Sequence, residues 1–261
     1  MTGSASTLRI NLWSGPRNLS TALMYSWRSR SDTTVVDEPL YAHYLTTVGD
    51  ELKAGGREHP GDHAVLASQD ANGARVVAEH LLGPWDSPVV LFKQMAKHLV
   101  GLDPESTTAL MAGCANVILT RTPRDMLLSF QQQVPNASLA DTGLAELVEI
   151  AETVVNGGQE PIVVDSALLL ANPASVLGQL CHRVGLEFDS AMLSWPAGPK
   201  PEDGVWARHW YHSVHQSTSF SSPSRRDGAL NPQLAAVLPE ANELYDLLRQ
   251  WRITPTNGET T

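Results

Sequence analysis

Two short stretches of this sequence gather residue types that hold oxyanions. The first, Ser14-Gly15-Pro16-Arg17-Asn18-Leu19-Ser20-Thr21, ends a β-favouring run and opens a helix-compatible one. At such a junction, free backbone N–H groups and the helix dipole favour a negative ligand. Gly15 lets the backbone come close to an oxyanion, Arg17 brings a permanent cation, and Ser20 and Thr21 add hydroxyl donors, a set suited to phosphate. The second stretch is Thr120-Arg121-Thr122-Pro123-Arg124, with Ser129 further on. Pro123 suits a first helical turn, so Arg121 leaves a strand end while Ser129 rides the following helix, and both face one anion at the sheet's carboxyl edge. Each stretch also has a plain structural reading. The first is then an ordinary turn with Ser20 as cap and Arg17 in solvent, the second a surface arginine and a helix serine.

Acid–base chemistry has separate candidates. Glu38, in Val36-Asp37-Glu38-Pro39, ends a predicted strand beside the first turn, where a general base would reach a ligand. A capping or ion-pair carboxylate is the alternative reading. Strand alternation turns Asp37 to the opposite face. Lys93 is expected at the end of the third strand, and His98 lies beyond it as a reserve base; solvated loop residues are the other reading of this pair. Trp206, His209, Trp210, Tyr211, His212 and His215 would wall an acceptor pocket or pack as an aromatic cap on the core. No cysteine stands near those histidines, and no metal is expected.

The elements that must position these residues follow from the pattern. Short β-favouring runs at 8–13, 33–36, 88–92, 115–120 and 161–164 predict five strands, the last three nearly continuous in apolar residues, as a sheet buried on both faces requires. Helical patterns lie at 19–30, from 40 through 53, and at 105–113, 123–133, 141–156, 173–184 and 232–251. The alternation predicts an α/β fold: three layers, α/β/α, around a central mainly parallel sheet. Residues 1–261 read as one domain with an irregular cap around 196–230 and a frayed tail at 254–261.

Composition narrows the partners. A chain of 261 residues with 42% hydrophobic content can bury a sizeable core. Its formal net charge of −10 disfavours nucleic acid and anionic lipid, so any phosphate site is local. Cys114 and Cys181 stand far apart without CxxC or zinc spacing, which argues against a disulfide framework and a structural zinc. The opening residues lack a signal-peptide pattern, and no run approaches a membrane span; the expectation is a cytoplasmic protein without a membrane partner.

The paired stretches resemble the superfamily of sulfotransferases dependent on 3′-phosphoadenosine 5′-phosphosulfate (PAPS). There, a strand-loop-helix turn holds the 5′-phosphosulfate, and an arginine after a later strand, with a serine eight positions on, holds the 3′-phosphate. Arg121 and Ser129 match that spacing, with Pro123 two residues after the arginine, and Ser14 to Thr21 takes the place of the first turn. The segment 161–195 is also similar to one in these enzymes. WSGPRNLSTALMYS, VVDEPLYA and PEDGVWARHWY resemble a bacterial and plant branch that is sometimes fused to, or misnamed as, branched-chain aminotransferases. Nothing in this chain carries aminotransferase chemistry. Two departures stand out: Arg17 replaces the lysine of the cytosolic steroid and phenol enzymes, and Ala22 replaces an aromatic that follows their loop.

The resemblance implies a P-loop-NTPase-like fold and sulfuryl transfer from PAPS to the hydroxyl of a small molecule, leaving 3′-phosphoadenosine 5′-phosphate. It places Glu38 as base, with His98 in reserve, and Arg17 and Lys93 as the cations at the reacting group. Arg225 and Arg226 would stand in for a basic segment on the 3′-phosphate. A small polar alcohol is the expected acceptor, no metal is required, and a homodimer is the oligomer considered. Two other classes remain open at this point: a divergent P-loop small-molecule kinase or NTPase, demoted because the Gly-Lys-Ser/Thr ending is missing, and a non-catalytic nucleotide-binding module.

Overall fold

The structure, a computed structural model, describes residues 7–55, 61–132, 134, 137–221 and 228–255. Five strands form its centre: β1 (Leu8–Ser14), β2 (Thr33–Asp37), β3 (Val89–Met95), β4 (Ala115–Thr120) and β5 (Ile162–Asp165). They pair in the order β2-β3-β1-β4-β5, every pair parallel. Chain order reverses around β1, whose neighbours are β3 and β4, and the carboxyl end of such a switch strand opens a crevice for ligands.

Helices cover both faces. α1 (Ser20–Arg28) follows β1; α2 (Tyr41–Ala54), α3 (Asp62–Ser68) and α4 (Gly73–Arg75) follow β2; α5 (Pro104–Gly113) follows β3. α6 (Pro123–Phe130) and α7 (Leu144–Asn156) separate β4 from β5. After β5 come α8 (Ser166–Ala171), α9 (Pro173–Arg183), α10 (Ala207–Trp210), α11 (His212–His215) and α12 (Pro232–Leu248). Alternate strand residues divide between two cores. Ile10, Leu12, Leu91, Val117 and Val164 pack with α1 and α9, whereas Val90, Phe92, Ile118 and Val163 meet α5, α7 and Leu248 of α12. Each fully buried Leu or Ile contributes roughly 1.5–3 kcal/mol by leaving water, so both faces need their helices and the sheet cannot be exposed on either side.

Three differences from the sequence expectation bear on function. β3 runs through Met95, so Lys93 lies inside a strand and not just past its end. Its neighbours on β1 and β2 extend the ladder, pairing Lys93 with Leu12 and Asp37. The helix expected over 141–156 is split: a tight turn at Ala140–Thr142 stops at Gly143, whose φ of 69° breaks the spiral before α7 begins. Residues 62–81 are largely helical although no pattern announced them. The described part of the expected cap is α10 and α11 with their flanking turns, and Trp206, Ala207 and Tyr211 seat it on Ala42, Tyr44 and Leu45 of α2.

Candidate active site

The first anion turn leaves β1 with its backbone in unusual conformations. Arg17 and Leu19 have φ of 64° and 79°, and Glu38, after β2, has 42°. These are the described non-glycine residues with positive φ, and all three lie at the carboxyl rim of the sheet. Backbone strain of this kind persists only where surrounding contacts hold it. Here the Ser166 hydroxyl lies 2.7 Å from both the Asn18 and the Thr120 carbonyl oxygens and its one hydrogen is shared between them, tying the turn to the ends of β4 and β5. The Asn18 amide donates to the Leu119 carbonyl at 3.3 Å, while its Oδ1 is buried without a partner. Leu19 precedes α1 and offers no side-chain cap, and the first turn of α1 holds no acidic residue. Its leading N–H groups therefore lack the capping oxygen that most helix starts supply.

Gly15 has a different role from the one its position suggested. A Cβ there would stand 2.2 Å from the Thr142 carbonyl oxygen, and a Cβ built on Gly143 would stand 3.6 Å from the Gly15 Cα. Its missing side chain admits the 142–143 backbone, not a ligand, against the turn. Ser14 is fully buried and donates to the Gly15 carbonyl, Pro16 and Thr21 are half-buried, Ser20 is buried, and Leu19 packs its side chain on the core.

The second stretch meets the first directly. Arg17 Nε donates to the Ser129 hydroxyl at 3.1 Å, and Arg121 donates to the Arg17 carbonyl at 3.0 Å. Ser129 lies buried on α6, whose first turn holds Pro123, while Arg121 follows β4. Residues 112 positions apart thus share one hydrogen bond at one rim of the sheet. Residues 228 and 229 are fastened to the same helix: Arg124 donates to the Gly228 carbonyl at 2.8 Å and Gln131 to the Ala229 carbonyl at 3.2 Å. Arg225 and Arg226 lie outside the described residues.

At the other end of the rim, β2 and β3 hold a buried charge cluster. Lys93 Nζ donates to Asp37 Oδ1 at 2.7 Å, Glu38 Oε1 at 2.5 Å and the Tyr211 hydroxyl at 2.7 Å. Alternation does not send Asp37 away from Glu38. The strand stops at Asp37, and the left-handed backbone of Glu38 turns its carboxylate back to the same ammonium. The expectation that Lys93 faces a departing anion also needs correction, because all three of its N–H groups are already used. Burial alone would lower the Lys93 ammonium, but Asp37 and Glu38 outweigh it and hold Lys93 above its ordinary range.

Glu38 is engaged on one side only. Its N–H donates to the Lys93 carbonyl at 2.8 Å and its carbonyl accepts from Gln69 at 3.0 Å, while Oε2 has no hydrogen bond among the described residues. Burial raises its carboxyl above the usual carboxylate range, Lys93 opposes that rise, and Asp37 adds to it. His98 Nδ1 sits 3.9 Å from Oε2 and has no hydrogen-bond partner. The imidazole lies against Tyr41, stacked at 4.6 Å, and Tyr44 at 4.9 Å. Burial, then Lys97, Lys93 and His43, push its pKa well below the ordinary histidine value, so it is neutral.

Sequence reasoning passed over Lys97 and Tyr211 as chemical groups. Lys97 is half-buried, its ammonium lies 5.1 Å from the Tyr44 ring centre, and among the described residues it makes no hydrogen bond or ion pair. Burial lowers its pKa, opposed by Asp141, Glu38 and Glu146. A lysine four residues after Lys93 was visible in the chain, but only the strand's true end shows which of the two is committed elsewhere. Of the aromatic cluster, Trp206 and Tyr211 are buried, His212 is exposed, and His215 meets Asp203 at 3.0 Å. Among the described residues no group of three or more His, Cys, Asp or Glu is placed to hold a metal ion.

Fold and site together define an α/β protein with arginine, serine and uncapped helix N–H groups along the carboxyl ends of β1 and β4 and a buried carboxylate beside them. The chain belongs to the sulfotransferase family: the family model described as "Sulfotransferase domain" matches residues 8–245. It is 40% identical over 92% of its length to branched-chain-amino-acid aminotransferase-like protein 1 of Arabidopsis thaliana, and 37% identical to the like-named protein 2. In each case it spans 41% of the relative's length. Among solved structures, a sulfotransferase from Alicyclobacillus acidocaldarius shares the fold with a TM-score of 0.52 at 12% identity, covering 95% of this chain and 98% of that one. The sulfotransferase domain from the curacin biosynthetic pathway gives 0.50 at 15% identity, over 91% and 98%.

Proposed function

We propose that this protein transfers the sulfuryl group of PAPS to the hydroxyl of a small molecule. The observation that carries the reading is the Arg17 to Ser129 contact at 3.1 Å, which joins the two anion-holding stretches into one continuous rim. A donor with phosphate at one end and phosphosulfate at the other needs two oxyanion positions on one side of the sheet, and unlinked cradles would not serve it. The uncapped start of α1, with its leading N–H groups free of a side-chain cap, fits a phosphorylated ligand at the first turn. Arg121 and Ser129 fit the further phosphate.

In this reading Glu38 Oε2 takes the proton of the acceptor hydroxyl as that oxygen bonds to sulfur. The bond from sulfur to the phosphate oxygen breaks, and 3′-phosphoadenosine 5′-phosphate leaves with the electron pair. A base works best when its pKa lies near the working pH. Burial moves Glu38 toward that range and moves His98 away from it, which favours Glu38 over the reserve base. Arg17 and Lys97, in place of Lys93, supply the positive charge at the reacting group.

Turnover of isotopically labelled PAPS with a panel of small alcohols, amines and phenols tests the proposal, alongside equilibrium binding of 3′-phosphoadenosine 5′-phosphate against magnesium–ATP. Label should pass to an alcohol, and the bisphosphate should bind more tightly. Tighter binding of magnesium–ATP, or label released to no acceptor, would overturn it. On this reading the protein works in the cytoplasm; no helix among the described residues is long and apolar enough to cross a membrane.

A further inference from the structure

We infer that Tyr211, carried by the segment between α10 and α11, is a positioning residue that fixes the free oxygen of Glu38 by completing the coordination of Lys93 and Asp37. This rests on the reading of Glu38 as the base. An ammonium has three N–H groups, and Lys93 has three acceptors, one each from Asp37, Glu38 and Tyr211. Its Nζ therefore has one orientation, and Glu38 Oε1 is pinned while Oε2 stays open.

Asp37 is the hub of the arrangement. Its Oδ1 accepts from Lys93, its Oδ2 accepts from the Gly204 N–H at 3.0 Å, and the Tyr211 hydroxyl lies 3.0 and 2.8 Å from the two oxygens. Trp206 Nε1 donates to the Tyr211 hydroxyl at 3.1 Å. Gly204, Trp206 and Tyr211 all come from one segment that is about 170 residues away in sequence and packs on α2. A buried polar network of this kind fixes geometry when every member is satisfied and loosens when one is removed. The groups facing Glu38 are Asp37 on β2, Lys93 on β3, Lys97 and His98 on the turn after β3, Tyr41 on α2, and Tyr211.

Loss of the Tyr211 hydroxyl has two effects of the same sign. Asp37 loses a donor, so its negative charge acts more strongly on Glu38; Lys93 loses an acceptor and shifts toward Asp37, away from Oε1. Each makes Glu38 harder to ionise. Tyr211→Phe keeps the ring over the Lys93 ammonium, at 5.2 Å from its centre, and removes the hydroxyl alone.

The test is a carboxyl-carbon NMR titration of the full chain labelled at glutamate, with Glu38 assigned by its loss in Glu38→Gln. Tyr211→Phe should raise the Glu38 midpoint by about 0.5–1 pH unit, and Lys93→Met should raise it further, while Asp37→Asn should lower it. Affinity for 3′-phosphoadenosine 5′-phosphate by calorimetry should be unchanged in Tyr211→Phe. A midpoint that stays at the wild-type value in Tyr211→Phe, with only Tm reduced, overturns the inference. So do shifts of one sign in Lys93→Met and Asp37→Asn. Should Tyr211→Phe not fold, Trp206→Phe removes the donor to the tyrosine together with part of a buried ring, and should shift the midpoint in a smaller step. The titration needs no turnover, so failure of PAPS to donate leaves it interpretable, and an unmoved midpoint leaves the donor assignment standing.

Discussion

The two ends of the rim are built on opposite principles. Along β1 and β4, the anion-holding side is made of a strained turn, half-buried arginines and uncapped helix N–H groups, with donors in excess of acceptors. Along β2 and β3, the Asp37–Glu38–Lys93 cluster is nearly closed: Lys93 has all its partners, Asp37 has several, and within these three residues one oxygen of Glu38 is left over. Surplus donors make a place for a ligand's charge, whereas saturation makes a fixed tool. On the proposed function, the difference separates binding from chemistry in physical terms.

If that division holds, variants at the two ends fail in different ways. The largest effect belongs to Glu38→Gln, which should cut kcat by about 10²–10⁴-fold with donor affinity intact, measured by PAPS turnover and bisphosphate calorimetry. Next, Arg121→Ala should weaken bisphosphate binding about 10–100-fold, the worth of a charge-assisted hydrogen bond at ~1.5–3 kcal/mol, and leave the pH profile of kcat alone. Lys97→Met should lower kcat about 10-fold, a ~1.4 kcal/mol loss of charge stabilisation, and Lys97→Arg should restore part of it; equal KM values in the two would place the effect in the transition state.

A subtler contrast lies in pH and salt. The acid limb of kcat/KM should fall above the ordinary carboxylate range, because burial raises Glu38 and the base is active only when ionised. Raising ionic strength from 0.05 to 0.5 M, on the order of a threefold cut in screening length, should weaken bisphosphate binding several-fold while moving that limb hardly at all. A limb that follows salt as strongly as binding does would erase the distinction between the two ends.

How much of this was readable in the chain also differs between the ends. The oxyanion side uses contiguous letters: a strand, a Gly-Pro-Arg turn and a helix start, then an arginine and a serine at fixed spacing after a later strand. The five strands lie on short β-favouring runs, and the nearly continuous apolar stretches of β3, β4 and β5 made the parallel arrangement legible too. The carboxylate side depends on where β3 ends and on the backbone of Glu38, neither of which leaves a periodic trace. Lys93 was singled out for a charge it does not have to spare, and Tyr211 was grouped with aromatics read as a pocket wall or a cap packed on the core, with nothing to show that its hydroxyl reaches the centre of the charge cluster. Gly15 was assigned to ligand approach because its contact with Thr142 joins residues 127 apart, beyond any local signal. Family membership was legible from the two oxyanion stretches, and it is those that the matched region spans.

Glu38 occupies a left-handed conformation that an L-residue with a Cβ adopts at a cost of roughly 1–2 kcal/mol, and glycine without one. Ease of the backbone alone would therefore push this position toward glycine; the carboxylate's bond to the buried Lys93 and its proposed use as a base oppose that drift. On the proposed function, glycine at the position equivalent to Glu38 in a relative of this chain would mark a lineage that has kept the scaffold and given up turnover, a sign readable without any assay.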